Sequence, residues 1–130
     1  MSTWQWGSLD ITDRLNTIKN FIKLRHQFSS IMHYGGCIYI LTNKSKTTLY
    51  IGVTSDLKNR IYQHKSNHYP SSFSAKYHLN ICVYYEAFLR IEEAIAREKQ
   101  LKKWNRNKKE MLIQKLNPAW NDLWDQIKDW

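Results

Sequence analysis

Two short runs rich in β-branched and aromatic residues, separated by a turn signal, constrain the fold of this chain most. The runs are Gly36–Thr42 and residues 47–53, and the Asn-Lys-Ser-Lys sequence between them is typical of a turn. We therefore predict a β-hairpin. A symmetric two- or four-residue loop would place Tyr39 directly opposite Tyr50, with both side chains on one face of the sheet. Ordinary cross-strand packing would explain the pair equally well, so the pair alone does not indicate a site.

The rest of the chain alternates between helical and strand patterns. Helices are predicted over residues 57–65, 91–104, 106–116 and after the Asn117-Pro118 break, and a third strand over Ile81–Phe88. Residues 67–80 read as polar and irregular. The order β-β-α-β-α-α predicts an α+β domain, in which a small, mainly antiparallel three-stranded sheet is flanked by helices.

The N-terminal part differs from the motif-rich remainder. Apolar residues between Leu9 and Phe28 recur at helical spacing, so we predict an extra N-terminal helix in an extension over residues 1–34, followed by a domain over residues 35–130. Met32 is a candidate alternative start, which mass spectrometry of the native protein would test. No secretory signal and no apolar run of membrane-spanning length is visible, so a cytoplasmic location is the default expectation.

The charge balance favours a polyanionic partner. The chain has 130 residues, and 20 Lys and Arg against 11 Asp and Glu give a formal net charge of +9. Nucleic acid is the usual partner of such a domain, although solubilising lysines explain a basic protein about equally often. Cys37 and Cys82 stand far apart with no Cys-x-x-Cys pair, so they indicate small core residues rather than a zinc site.

Two polar residues share one face of the helix that follows the hairpin. Arg60 and His64 are spaced i, i+4, and the helix begins so soon after Tyr50 that this face can lie beside the two tyrosines. Without other signals, such a pair most often belongs to a solvated helix face.

A carboxylate interrupts the apolar stripe of the next long helix. The stripe consists of Ile91, Ala94, Ile95 and Leu101. Glu98 falls in its middle, where a carboxylate is costly unless it is paired or binds a cation. Three explanations stay open: an ion pair with Lys102, a position at the exposed edge of the stripe, or a metal site.

A run of basic residues follows Glu98 directly. We predict nucleic-acid-binding roles for Lys102, Lys103, Arg106, Lys108 and Lys109, because cationic side chains attract phosphates. Trp104 lies within the run and could stack on a base or pack against the sheet. A solvated junction between two helices is the alternative.

Together these residues resemble the GIY-YIG nuclease superfamily. The first motif corresponds to Cys37-Ile38-Tyr39, where the family usually has Gly-Ile-Tyr, and the second is intact as Tyr50-Ile51-Gly52. The next helix matches at Arg60 and His64, and residues 93–102 resemble the metal-binding helix of the family. Each motif is short, but their order and spacing together are specific.

The resemblance, which covers roughly residues 36–123, implies a metal-dependent DNA endonuclease. In that interpretation Glu98 holds one divalent cation, Mg²⁺ or alternatively Mn²⁺, and Arg60 donates to the phosphate oxygens. Tyr50 is the predicted general base, and Tyr39 positions the water or its partner phenol. His64 takes the proton onward or orients Tyr50.

Several questions stay open at this level. Asn117 corresponds to a late asparagine of the family, or it simply ends the preceding helix before Pro118. The chain contains no separate recognition domain that we can identify, so we expect structure-selective or weakly sequence-specific cleavage, of DNA rather than RNA, although RNA stays an alternative. A monomer and a homodimer are equally open.

Two other classes of function compete with the nuclease. One is a catalytically silent nucleic-acid-binding module on the same fold, which would need the basic surface but neither Arg60 nor Glu98. The other is a helix-mediated interaction protein, in which the N-terminal helix and the tail with Trp120, Trp124 and Trp130 serve a partner or a homodimer interface. Core packing explains most of the tryptophans equally well.

Overall fold

A computed structural model describes residues 35–130 of the chain. The predicted N-terminal helix and Met32 lie outside the described residues. The elements, in chain order, are β1 (Gly36–Thr42), β2 (Leu49–Thr54), α1 (Leu57–Lys65), α2 (Phe73–Lys76), β3 (Ile81–Phe88), α3 (Ile91–Lys102), α4 (Arg106–Leu116) and α5 (Trp124–Ile127).

The described residues form an antiparallel three-stranded sheet in the order β2-β1-β3, so β1 is central. Five helices accompany the sheet in this part of the chain. The predicted α+β class and its three-stranded sheet are confirmed. Strand β1 is buried along its whole length, which is what a strand with a neighbour on each edge and helices on each face requires.

The predicted register of the hairpin is wrong by two residues. Tyr39 pairs with Gly52, and Tyr50 pairs with Leu41. Because side chains alternate along a strand, a shift of two keeps both tyrosines on one face, whereas a shift of one would have separated them. The tyrosines are therefore diagonal neighbours, with ring centroids 6.4 Å apart.

The side chain of Asn43 explains this register. Its Oδ1 accepts hydrogen bonds from the backbone N–H groups of Thr47 at 2.8 Å and Thr48 at 3.3 Å, and its Nδ2 donates to Thr47 Oγ1 at 2.7 Å. These bonds hold residues 47 and 48 in the loop, and Lys46 takes a positive φ of 60° beside them. Strand β2 consequently begins at Leu49 and not at the predicted residue 47.

The two faces of the sheet bury separate apolar clusters. One face, called here the tyrosine face, packs Cys37, Tyr39, Leu41 and Tyr85 against α1 and the C-terminal segment. The opposite face packs Ile38, Ile40, Ile51 and Tyr84 against α3 and α4. The predicted core positions of both cysteines are confirmed, since Cys37 and Cys82 are buried free thiols. Three of the described tryptophans of the C-terminal part, Trp120, Trp124 and Trp130, pack against these clusters, which supports core packing for them.

Other boundaries differ in detail from the prediction. Residues 67–80 are not wholly irregular, because Ser72 caps the short helix α2 by accepting from Ala75 N–H at 3.3 Å. Helix α3 ends at Lys102 rather than 104, and the predicted last helix is limited to Trp124–Ile127. No helix in residues 35–130 is long and apolar enough to cross a membrane.

Candidate active site

Four of the predicted site residues converge on the tyrosine face. Strand β1 provides Tyr39, edge strand β2 provides Tyr50, and helix α1 provides Arg60 and His64. The ring of His64 lies 5.6 Å from that of Tyr39 and 5.9 Å from that of Tyr50, measured between centroids. Helix α1 has the predicted bounds, and Asp56 caps it by accepting from Asn59 N–H at 3.2 Å.

The glycine of the second motif makes room for the first tyrosine. Gly52 lies opposite Tyr39 in the hairpin, and a Cβ placed on Gly52 would fall 2.3 Å from both Cζ and Oη of Tyr39. No side chain fits there while the phenol keeps its position, because non-bonded carbon atoms need about 3.5 Å. The Tyr-Ile-Gly motif therefore has a steric function as well as a chemical one.

A chain of hydrogen bonds runs from Arg60 into the protein. Arg60 Nε donates to Tyr39 Oη at 3.4 Å, Tyr39 Oη lies 3.0 Å from His64 Nε2, and His64 Nδ1 lies 2.8 Å from Ser74 Oγ. Sequence reasoning missed Ser74, which is buried on α2 within a segment read as irregular. The serine N-cap at Ser72 was the available signal for that helix, but nothing local links Ser74 to His64.

The two titratable side chains in the middle of this hydrogen-bonded chain are neutral at neutral pH. Burial, followed by the charge of Arg60, lowers the pKa of His64 to about 4, so the imidazole is neutral at neutral pH. Burial raises the pKa of Tyr39 to about 12, so its phenol stays protonated. Tyr39 Oη accepts from Arg60, and the tautomer of the neutral imidazole decides which ring nitrogen of His64 donates and which accepts in its bonds to Tyr39 and Ser74.

The two tyrosines have different environments. Tyr39 is fully buried in the central strand, whereas Tyr50 is half-buried on the edge strand and stacks on Phe73 at a centroid distance of 6.2 Å. The hydrogen bond of His64 goes to Tyr39, and its contact with Tyr50 is an edge-on ring contact. The interpretation in which His64 orients Tyr50 thus lacks a direct hydrogen bond.

Glu98 lies on another element from these four residues. It belongs to α3, which packs on the sheet face opposite the tyrosines through Ala94 and Leu101. The side chain of Glu98 is 14% exposed, and its Oε2 lies 3.3 Å from Nζ of Lys102. The ion pair with Lys102, one of the three explanations that the sequence left open, is therefore present. The apolar stripe is narrower than predicted, because Ile95 is 37% exposed.

The side chains around Glu98 determine which metal ion this position could bind. Residues 35–130 contain no group of three or more His, Cys, Asp or Glu side chains able to hold a metal ion together. Mg²⁺ binds through one or two carboxylates with retained waters and substrate phosphates, so a single accessible carboxylate fits that ion. The donors present do not fit an ion that requires an all-protein site, such as structural zinc.

The basic run is divided between structural and free cations. Arg106 donates to the carbonyl oxygens of Lys46 and Thr47 at 2.6 and 2.9 Å, and its Nε lies 2.6 Å from Glu110, so it clamps the hairpin loop. Lys102 pairs with Glu98, and Lys108 lies over the ring of Trp104 at 4.7 Å.

Of the five predicted nucleic-acid-binding residues, Lys103, Lys108 and Lys109 have no ion-pair partner in the described part of the chain. Lys103 is exposed and Lys109 half-buried. No ion pair within residues 35–130 neutralises these three lysines.

Asn117 has a complete structural role. Its Nδ2 donates to the carbonyls of Val83 at 3.0 Å and Asn121 at 2.9 Å, and its Oδ1 accepts from Asn121 N–H at 3.0 Å. The side chain is buried and joins the end of α4 to β3. These bonds favour the helix-ending explanation of the Asn-Pro sequence over a supporting role at the site.

Comparison with known proteins identifies the same region of the chain. The family model described as the GIY-YIG catalytic domain matches residues 35–111, which is more than half of the 130 residues. The chain is also similar to a UPF0213 protein from Bacillus halodurans, solved by solution NMR. That similarity has 29% identity, covers 67% of this chain and 90% of the other, and gives a TM-score of 0.44. No curated protein matches the chain. Since the family model spans the hairpin, the Arg60 and His64 helix and α3, the chain belongs to the GIY-YIG catalytic domain family.

Proposed function

We propose that this protein is a metal-dependent DNA endonuclease that hydrolyses phosphodiester bonds. The observation that supports this most is the convergence of Tyr39, Tyr50, Arg60 and His64 on one face of the sheet, with Arg60 and Tyr50 reaching its accessible side. A module that only binds nucleic acid does not need the buried series of hydrogen bonds that connects Arg60 to Tyr39 and His64. Membership of a catalytic domain family points the same way.

Arg60 is the proposed phosphate ligand. One of its N–H groups donates to Gln63 Oε1 at 3.1 Å and another to Tyr39, so most of its five donors stay available among the described residues. A planar guanidinium fits two phosphate oxygens at once and gains strength as charge develops on them. The bond to Tyr39 fixes the direction in which the guanidinium points.

The tyrosines divide the proton chemistry between them. Tyr50 is the proposed general base, since its half-buried phenol is accessible to a water on the substrate side. Tyr39, protonated and bonded to His64, positions Arg60 and the water rather than taking the proton.

Glu98 is the proposed ligand of a single divalent cation, Mg²⁺ or Mn²⁺. When bound, such a cation would polarise the scissile phosphate and stabilise charge on the leaving oxygen.

Cleavage of supercoiled plasmid and branched oligonucleotides, with Mg²⁺, with Mn²⁺ and with chelator, tests the proposal. We expect metal-dependent cleavage that is lost in Arg60→Ala and Glu98→Ala. Lys99→Ala, which removes an exposed charge on the same helix, is the matched control and should keep full activity. Cleavage that survives both site variants would refute the assignment of this site. Absence of cleavage with salt-sensitive DNA binding retained would favour the silent module.

Tyr50→Phe tests the assignment of the base separately. Removing one hydroxyl should abolish cleavage while DNA affinity changes less than about twofold, because a general base contributes to the transition state and not to binding. The binding assay is done in chelator, so that only affinity is measured. Full cleavage by Tyr50→Phe would show that another group activates the water.

A further inference from the structure

Three aromatic side chains beside the site are left facing solvent. Tyr69, Phe73 and Tyr77 are 51%, 52% and 45% exposed, and together they are called here the aromatic platform. Single exposed apolar residues need no explanation, but a group of them next to a candidate active site is typical of a surface that binds a ligand. None of the three takes part in the proposed hydrolysis.

The platform is continuous with the site. The ring of Phe73 is nearly parallel to that of Tyr50, at an interplanar angle of 26°, and lies 4.6 Å from the ring of Tyr77. On the other side, the guanidinium of Arg60 lies 5.7 Å from the centroid of Tyr69. The aromatic surface therefore begins at both residues proposed to meet the scissile phosphate and its water.

Helix α2 holds part of the platform in place. Phe73 and Ser74 are adjacent, so their side chains leave the helix in different directions. Ser74 points inward, where its Oγ lies 2.8 Å from His64, while Phe73 is exposed. The buried hydrogen bond thus fixes Phe73 relative to the site, and a ring that is already ordered loses little entropy when it binds.

The charge around the platform selects an anionic ligand. Residues 57–85 contain no Asp or Glu; Lys65 pairs with Asp122 from the C-terminal segment, whereas Lys58, Arg60 and Lys76 have no ion-pair partner among the described residues. Lys76 lies 6.0 Å from the ring of Tyr77, so a cation accompanies the rings. Aromatic faces interspersed with cations are the combination that binds single nucleic-acid strands, with bases on the rings and phosphates on the cations.

We propose that the aromatic platform stacks unpaired bases next to the phosphate held by Arg60. Bases within an intact duplex present only their edges, so these rings can stack only on bases that are splayed or single-stranded. The substrate class is therefore a strand with unpaired bases beside the scissile phosphate, as in single strands and branched junctions. This inference rests on the proposed function, because it takes Arg60 as the phosphate ligand.

Binding measured by fluorescence anisotropy in chelator tests the platform. The probes are a labelled single strand about 16 nucleotides long and the blunt duplex of the same sequence. We expect the single strand to bind more tightly than the duplex, and Phe73→Ala and Tyr77→Ala each to weaken its binding about tenfold. Phe73→Trp should restore it. Met111→Ala, which removes a 58% exposed apolar side chain from α4, is the matched control and should have no effect.

Two results would overturn the proposal. One is single-strand binding that is unchanged in both alanine variants, which would mean that the rings do not bind bases and would favour a protein as their ligand. The other is an equal loss of duplex and single-strand binding, which would mean that the variants perturb the fold or the general charge. Because the assay contains no metal and no turnover, its outcome is independent of plasmid cleavage. Failure of the platform and failure of the proposed hydrolysis can therefore be told apart.

Discussion

His64 makes the free energy of unfolding depend on pH in a predictable direction. Burial, with the charge of Arg60, holds the pKa of this histidine at about 4 in the folded protein, against about 6.5 in an unfolded chain. Between these two values the unfolded chain binds a proton that the folded protein does not bind. Linkage then requires the folded state to lose stability as the pH falls through this window.

The size of the effect follows from the same two pKa values. The two pKa values differ by about 2.5, and each pKa unit corresponds to about 1.36 kcal/mol. The free energy of unfolding should therefore fall by about 3 kcal/mol between neutral pH and about pH 4. The side chain of His64 is 8% exposed, so solvent screens this contribution little. A loss of about 3 kcal/mol is a large part of the stability of a small domain.

Urea unfolding followed by tryptophan fluorescence, at several pH values from about 7 down to about 4.5, measures this loss. His64→Gln replaces the imidazole with a group that does not titrate, so its stability should fall clearly less than that of the wild-type protein. Carboxylates also titrate towards pH 4, but they do so in both proteins and cancel in the comparison. His68→Gln, at an exposed position, is the control and should follow the wild type. Parallel pH dependence in wild type and His64→Gln would refute the reasoning.

Three further predictions concern the neighbouring structure. Gly52→Ala should displace the Tyr39 phenol by about 1 Å and lower cleavage about 100-fold, with DNA affinity nearly unchanged; wild-type cleavage rates would contradict this. Ser74→Ala should destabilise the protein by about 1–3 kcal/mol in thermal or urea unfolding and change the pH dependence that His64 causes, whereas a merely structural serine would leave that pH dependence unchanged. Arg97→Ala should lower the free energy of unfolding, measured in urea, by about 3–5 kcal/mol, because it leaves the fully buried carboxylate of Glu86 on β3 without its bidentate partner. A decrease below about 1 kcal/mol would contradict this prediction.

Elements with local boundary signals could be predicted closely from the sequence. Helix α1 has the Asp56 cap, α4 begins after the Asn105 cap and ends at Asn117-Pro118, and both helices have the predicted bounds. Strand β3 was likewise predicted over Ile81–Phe88. The two helix boundaries depend on hydrogen bonds between residues two to four positions apart, which is the range that sequence patterns reflect.

Features that depend on distant contacts could not be predicted in the same way. The register of the hairpin depends on Asn43 holding two extra residues in the loop, which a symmetric loop does not anticipate. The contact between His64 and Ser74 needs the whole α1–α2 connection to fold back, and no periodicity encodes it. Glu98 illustrates the same limit: the stripe indicated partial burial, but not that its partner would be Lys102.

The position of each tyrosine in the sheet accounts for the different roles proposed for two identical side chains. Tyr39 lies on the central strand and Tyr50 on the edge strand, and the hairpin register places them diagonally on one face. A central strand has neighbours on both sides, so the phenol of Tyr39 is buried, its pKa rises to about 12, and it keeps its proton. An edge strand leaves one side open, so the phenol of Tyr50 can meet a water and a substrate. A hairpin docked along one edge of a third strand therefore provides one positioning tyrosine and one accessible tyrosine without any difference in residue type.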